Sequence, residues 1–347
     1  MHYTIVIDMW KLPKGKKIGI DLGTTNTLVF VAGVGIVLNE PTVVAIDRNT
    51  KTILAIGHEA KDMIGKNPSE IIIYRPMQDG AIADYNVTYA MLKYFLDKSL
   101  GKNTIFKPDV LVSVPAGITS TEKRAVIEAT IKAGAKSAVI VKEAILAAIG
   151  VGVSINDAKG CMIIDSGGGT TDIAVISLGG IVASTSVKCG GNKLDQAIID
   201  YIRRNYNVII GDQSAEDVKK NIASAININP DHKGEVRGRD IIKGLPVTIP
   251  ISTNELVKAL DYDLKIIIKS IKNVLEQTPP ELASDIIDNG IVLTGGTSGL
   301  SNFAQLIEQQ TGIKVRVADD AIFAVVKGAG ILLDHLNDYK RSIMTKK

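Results

Sequence analysis

The 347-residue chain is poor in the residue types that mark several common chemistries. It has two cysteines, Cys161 and Cys189, each set in an apolar or glycine-rich segment. Such thiols read as reduced core side chains rather than a disulfide or a metal pair. Its four histidines include no HExxH and no C-x-x-C setting, so no zinc site is expected. A net charge of +3 is too small to point to nucleic acid. The longest apolar stretch, AVIVKEAILAAIGVGV, is broken by Lys142 and Glu143 and falls short of the roughly 20 residues that cross a bilayer. A P-loop is also missing. The turn in GIDLGTTNTLVF, residues 19–30, is rich in glycine and hydroxyls, but no GK[ST] follows it and the next residues read as a strand.

The N-terminus MHYTIVIDMWKLPKGKK does not have the order of a secretory signal, because its charges follow the apolar part. It combines Ile5, Val6, Ile7, Met9, Trp10 and Leu12 with Lys11, Lys14, Lys16 and Lys17. Two readings stand: a sheet-edge terminus, or a peripheral anchor with Trp10 at headgroup depth and lysines facing anionic lipid.

What is present is a folded chain with an internal repeat. Apolar residues make up 46% and charged residues 22%, and the length suggests two domains. Residues 21–27 run D-L-G-T-T-N-T and residues 165–171 run D-S-G-G-G-T-T. Both fit D-x-G-x-x-x-T, and both are entered and left by strands rich in β-branched residues. Asp21 thus pairs with Asp165, Gly23 with Gly167 and Thr27 with Thr171. Two such matches point to two similar domains, each contributing one hairpin.

The residue types suggest the chemistry. Glycines let successive backbone N–H groups converge on one anion. Thr24, Thr25, Thr170 and Thr171 add hydroxyls. Asp21 and Asp165 repel phosphate but suit Mg²⁺ held largely through water, since that ion dehydrates reluctantly. Two facing hairpins would clamp a Mg-nucleotide. A third cluster, GIVLTGGTSGLSNFAQLIEQQTGI, reads as a strand, a turn at Gly295 and Gly296, and an amphipathic helix carrying Phe303, Leu306 and Ile307. Such a unit sets backbone against an anion or a flat ring.

GIDLGTTNTLVF, IIDSGGGTTDIAVISLGGIV and GIVLTGGTSGL resemble the two phosphate motifs and the adenosine motif of the actin/Hsp70/sugar-kinase superfamily. Within it the chain closely resembles the MreB family, the bacterial actins of rod-shaped cells. GIVLNEPTVVAID, RPMQDGAIADYNVTYAMLKYF, VPAGITSTEKRAVIEA, QTPPELASDIIDNGIVLTGG and VADDAIFAVVKGAG carry the likeness from about residue 17 to about 335.

The resemblance implies an α/β, actin-like ATPase fold: two duplicated ribonuclease-H-like domains with smaller inserted subdomains and the nucleotide in the cleft between them. Domain I is expected over 1–157 with an insert at about 40–75, and domain II over 158–326 with an insert at about 190–255. Residues 327–347 form a C-terminal helix returning to domain I plus a basic tail. The implied cofactors are ATP or ADP and Mg²⁺, with Asp21 and Asp165 organising the metal. Gly23, Thr24, Thr25 and Asn26 form the first phosphate loop, and Gly167, Gly168, Gly169, Thr170 and Thr171 the second. Gly295, Gly296 and Thr297 lie along the adenosine, and Glu216 and Lys219, in SAEDVKKNIA, reach ribose and base. Glu143 orients the attacking water, with Asp165 and Thr171 as the other catalytic groups.

The chain departs from the family pattern at several points. Lys142 stands where a first glutamate is usual, Ala144 where proline is usual, and Asn192 and Lys193 where two acids are common. Thr297 replaces a third glycine of the adenosine turn, and Ala223 a glycine or serine.

The expected function is an ATP-dependent filament that governs cell shape from the inner face of the cell membrane. Its partners would be further copies of itself in paired protofilaments, an anionic membrane surface and membrane proteins of the shape machinery, with no nucleic acid. TSTEKRAVIEATIKAGA, with its capping start, resembles the helix that pairs protofilaments, and Trp10, Ile105 and Phe106 are the expected membrane contacts. The alternatives are a nucleotide-binding scaffold with little hydrolysis, given Lys142, and more remotely a sugar-kinase-like phosphotransferase. An Hsp70-type chaperone would need a substrate domain beyond the ATPase.

Overall fold

The computed structural model describes residues 15–78, 80–101, 106–335 and 338–339. They fall into two compact units: the chain up to Gly152 joined by the segment from Val325, and Val153–Ala324.

The first unit is built on a five-stranded sheet. Its centre is the hairpin of β1 (Lys17–Leu22) and β2 (Asn26–Val31), in which Ile18, Ile20, Val29 and Val31 are buried. β3 (Gly35–Pro41) pairs antiparallel with β2. Next come β4 (Val44–Asp47), β5 (Ile53–Ile56), α1 (His58–Asp62) and β6 (Ile71–Tyr74). These strands form a small sheet of order β5-β4-β6 over a core of Val43, Ala45, Ala55 and Ala60. A short hairpin, β7 (Met77–Gln78) and β8 (Ala81–Ile82), leads to α2 (Tyr85–Leu100). Then follow β9 (Asp109–Val114), α3 (Ser120–Lys132), β10 (Ser137–Lys142) and α4 (Glu143–Gly150).

β9 and β10 join in parallel, giving the order β10-β9-β1-β2-β3. Met91, Leu92, Phe95 and Leu96 recur at helical spacing along α2 and pack on the sheet beside Val110 and Val112. The helix Ala324–Asp334 closes this unit, and Lys17 Nζ donates to the carbonyl of Leu333 at 2.9 Å near its end.

The second unit repeats the plan. β11 (Cys161–Ser166), β12 (Thr171–Ser177) and β13 (Gly180–Val187) form an antiparallel meander. α5 (Gly191–Tyr206), β14 (Val208–Ile209), α6 (Asp212–Asn221), β15 (Lys233–Asp240), β16 (Pro246–Ser252), α7 (Thr253–Glu276) and α8 (Pro280–Asn289) follow. β17 (Ile291–Thr294), α9 (Phe303–Thr311) and β18 (Val315–Val317) complete it.

The sheet order is β13-β12-β11-β17-β18, with β11–β17 and β17–β18 parallel. This order and these senses match those of the first unit strand for strand. The D-x-G repeat is therefore the central hairpin of both sheets. α7 is the longest helix here, started by a Ser252–Glu255 capping box. Its Leu256, Leu260, Leu264, Ile267 and Ile271 share one core with Leu194 and Ile198 of α5 and with Val236 and Ile251 of the small sheet β14-β15-β16.

Candidate functional site

In the first unit the turn between β1 and β2 is tied down from three sides. Thr42 Oγ1 donates to the carbonyl of Gly23 at 2.7 Å, and Thr42 N donates to Thr25 O at 2.8 Å. Gly80 N donates to Thr24 Oγ1 at 3.1 Å, and Asn26 Nδ2 to Asn39 Oδ1 at 2.8 Å. A side chain at position 23 would put its Cβ 2.6 Å from Asn26 O, so the turn closes only around glycine. Asp21, two residues before the turn, accepts from Ser113 Oγ at 2.6 Å. Crowding that strips water from its carboxyl pushes the Asp21 pKa up to about 6, while the Ser113 bond pulls it down.

The second unit brings three sequence motifs together. Asp165 accepts from Thr294 Oγ1 at 2.8 Å, and Gly167 O accepts from Thr297 Oγ1 at 2.7 Å. The first turn of α5 closes on the same loop: Gly191 N donates to Gly167 O at 3.0 Å and Asn192 N to Gly168 O at 2.8 Å. Gly190 permits this approach, since a Cβ there would lie 2.5 Å from Gly167 O. Gly167–Thr171, α5 and the Gly295–Thr297 turn are thus contiguous within one unit.

Several expected residues take positions that the sequence did not foretell. Glu216 and Lys219 do not pair with each other. Glu216 is bridged by Lys220 at 2.6 Å, one helical turn on. Lys219 turns toward α5, bridging Asp195 at 2.7 Å and donating to Gly191 O at 2.9 Å. Burial raises the Asp195 pKa, and Lys219 opposes that rise. Thr171 is fully buried. Its hydroxyl donates to Cys189 O at 2.7 Å and lies 2.8 Å from Ser166 Oγ, so it ties the hairpin's far strand rather than offering a free phosphate donor. Thr27, its counterpart, is likewise buried, 2.9 Å from Thr42 Oγ1.

Glu143 is buried at the first position of α4, and Lys142 is the residue that caps that helix. Phe106 is 55% exposed, whereas Trp10 and Ile105 lie outside the described residues. No helix among the described residues is long and apolar enough to cross a membrane.

The MreB/Mbl protein family matches residues 15–341. The cell shape-determining protein Mbl of Bacillus subtilis (strain 168) is 46% identical over 325 residues, covering 93% of this chain and 97% of Mbl. The cell shape-determining protein MreB of Escherichia coli (strain K12) is 46% identical over 326 residues, covering 92% and 94%. The chain belongs to the MreB/Mbl family. Among solved structures, MreB5 of Spiroplasma citri bound to ADP superposes with a TM-score of 0.89 at 36% identity, covering 94% of this chain and 99% of that one. Its AMPPNP-bound form gives 0.90 at 37%, covering 95% and 99%. The fold is therefore actin-like.

For this MreB/Mbl chain the structure adds residues that sequence reasoning had passed over: Ser113, Thr294, Thr42 and Asp195. Ser113 and Thr294 had one readable signal. Each is a hydroxyl residue near the end of a mostly apolar parallel strand, in DVLVSV and IVLT.

Proposed function

We propose that the chain is a nucleotide-driven, filament-forming actin homologue that acts in cell shape. It would bind Mg-ATP and polymerise on the inner face of the cell membrane. The observation that carries this reading is the doubled hairpin: one topology, built twice, each with an aspartate at the end of its first strand held by a hydroxyl from the neighbouring strand. The names of Mbl and MreB, and the ADP- and AMPPNP-bound forms of MreB5, support the reading.

The residues present fit Mg²⁺. Two carboxylates are too few for an all-protein cage, and Mg²⁺ keeps most of its waters and takes oxygens from phosphate. Bound there, the ion would offset charge on the β- and γ-phosphates. The chain's own part is positional. The turn 23–26 and the loop 167–170 present backbone N–H groups, and Gly295, Gly296 and α6 shape the nucleoside side. Glu143, fixed at the start of α4, would orient the attacking water. At the membrane, exposed Phe106 would join Ile105 and Trp10.

A second reading is favoured by one residue. Lys142 places an ammonium directly before Glu143, and such a charge would draw the carboxylate away from water, leaving a scaffold that binds nucleotide but scarcely hydrolyses it. Sedimentation with Mg-ATP, with phosphate release followed in the same tube, separates the two. Pelleting with release supports the ATPase; pelleting with almost none supports the scaffold. If no nucleotide brings the protein into the pellet, the filament reading fails.

A further inference from the structure

We propose that Thr297 is a positioning residue for the second phosphate loop, its hydroxyl fixing the Gly167–Gly168 peptide so that the Gly168 N–H faces a nucleotide phosphate. This rests on the nucleotide reading of the site.

Thr297 lies in the short 3₁₀ turn Gly296–Gly299 between β17 and α9, and it is buried. Its Oγ1 donates to Gly167 O at 2.7 Å across 130 residues of sequence. The same carbonyl accepts Gly191 N at 3.0 Å, and the next carbonyl, of Gly168, accepts Asn192 N at 2.8 Å. In a trans peptide the C=O and the following N–H point in opposite directions. With both oxygens drawn toward α5 and Thr297, the N–H groups of Gly168 and Gly169 are turned the other way, side by side. Neither donates to a protein group among the described residues. Two adjacent N–H groups so aimed form an anion nest.

Glycine peptides flip readily because no Cβ restrains them. A flipped Gly167–Gly168 peptide would aim an oxygen at the phosphate instead of a hydrogen. The Gly191 N–H restrains that flip from one side, and the Thr297 hydroxyl supplies the second hold. The resemblance puts a glycine at position 297, which has no hydroxyl to give, so this strap belongs to the chain's own departure from the pattern. Thr297 thereby acts through Gly167 on the phosphate rather than on the adenosine.

The test is equilibrium binding of a fluorescent ATP analogue with Mg²⁺ to the full-length protein, with ADP and adenosine as competitors. Thr297→Val keeps the shape and removes the hydroxyl, whereas Thr297→Ser keeps the hydroxyl. The valine variant should bind ATP and ADP about fivefold more weakly, the usual effect of one lost hydrogen bond. Adenosine affinity should be unchanged, and serine should restore wild-type binding. Equal ATP affinity in wild type and the valine variant would overturn the proposal. So would equal weakening by serine and valine, or a loss for adenosine as large as that for ATP. A wild type that binds none of the three ligands would instead overturn the nucleotide reading beneath it.

Discussion

Thr294 donates its hydroxyl to Asp165 Oδ1 at 2.8 Å from the parallel strand alongside. In the other unit Ser113 does the same for Asp21, at 2.6 Å. Thr294 is the register partner of Asp165 between β11 and β17. Ser113 lies one step beyond the last register pair of β1 and β9, Ile20 with Val112, and so opposite Asp21. The duplication extends beyond the glycine loops to the groups that aim the two carboxylates. An aspartate held in one orientation suits ion binding better than one free to rotate, because less side-chain entropy is lost on binding.

The raised Asp21 pKa gives a pH signature. Between about pH 4 and pH 6 the folded, ligand-free chain keeps a proton on Asp21 that the unfolded chain has released. Stability from this group is therefore greatest below that window and falls as pH rises through it. Urea midpoints taken across the window should show the decline in wild type, and Asp21→Asn should flatten it. Ser113→Ala removes the bond that lowers the pKa and should extend the decline to higher pH. An unchanged slope in Asp21→Asn would remove Asp21 as its source.

Much of this was legible in the sequence where the determinants are local. The two D-x-G turns and the strand–glycine–helix unit at 290–313 are written in consecutive residues, so pattern reading reaches them. The hydroxyls of Ser113 and Thr294 were not legible, because they meet their aspartates only after parallel strands pair across a long stretch of chain. The partners that Glu216 and Lys219 take were hidden for a related reason. Spacing alone made them neighbours on α6, but α5 offered Lys219 a carboxylate in Asp195 and a carbonyl in Gly191. Lys220, four residues from Glu216, then took the local partner. Thr171 read as a phosphate ligand because its burial behind the hairpin is a tertiary fact.

Gly328 permits the closest backbone approach in the first unit. A Cβ there would lie 1.8 Å from the carbonyl oxygen of Leu146 in α4, and backbone cannot yield as a side-chain tip can. Gly328→Ala should destabilise the protein by about 2–3 kcal/mol, lowering Tm by roughly 5–10 °C. It should also slow phosphate release, because α4 begins at Glu143. Calorimetry and the release assay read the two effects. A variant with wild-type Tm would show that the contact relaxes at no cost.

α3 begins at a capping box in which Glu122 N donates to Thr119 Oγ1 at 3.2 Å and Thr119 N donates to Glu122 Oε2 at 2.8 Å. Thr119→Ala should cost about 1 kcal/mol. Thr119→Ser keeps the acceptor and should cost only a few tenths. Denaturant midpoints of the two variants check this, and equal midpoints would mean that the cap contributes little.

Burial pushes the Cys161 thiol up to about 11 and the Cys189 thiol up to about 12. At pH 8 the reactive thiolate is then about a thousandth of Cys161 or less. A colorimetric thiol reagent should find almost no fast-reacting cysteine in the native protein and two per chain after denaturation. A fast native reaction would contradict the raised thiol pKa values.

The proposed function requires both hairpin aspartates for Mg-nucleotide binding, and the most direct measurement is Mg-ATP affinity in Asp21→Asn and Asp165→Asn, each made alone. If the two carboxylates serve one ion, either substitution weakens binding at least about tenfold, the scale expected for losing a charged interaction, and the double variant is little worse than either single one. If one substitution leaves the affinity at the wild-type value while the other abolishes it, the hairpins do not share a nucleotide and the account is wrong.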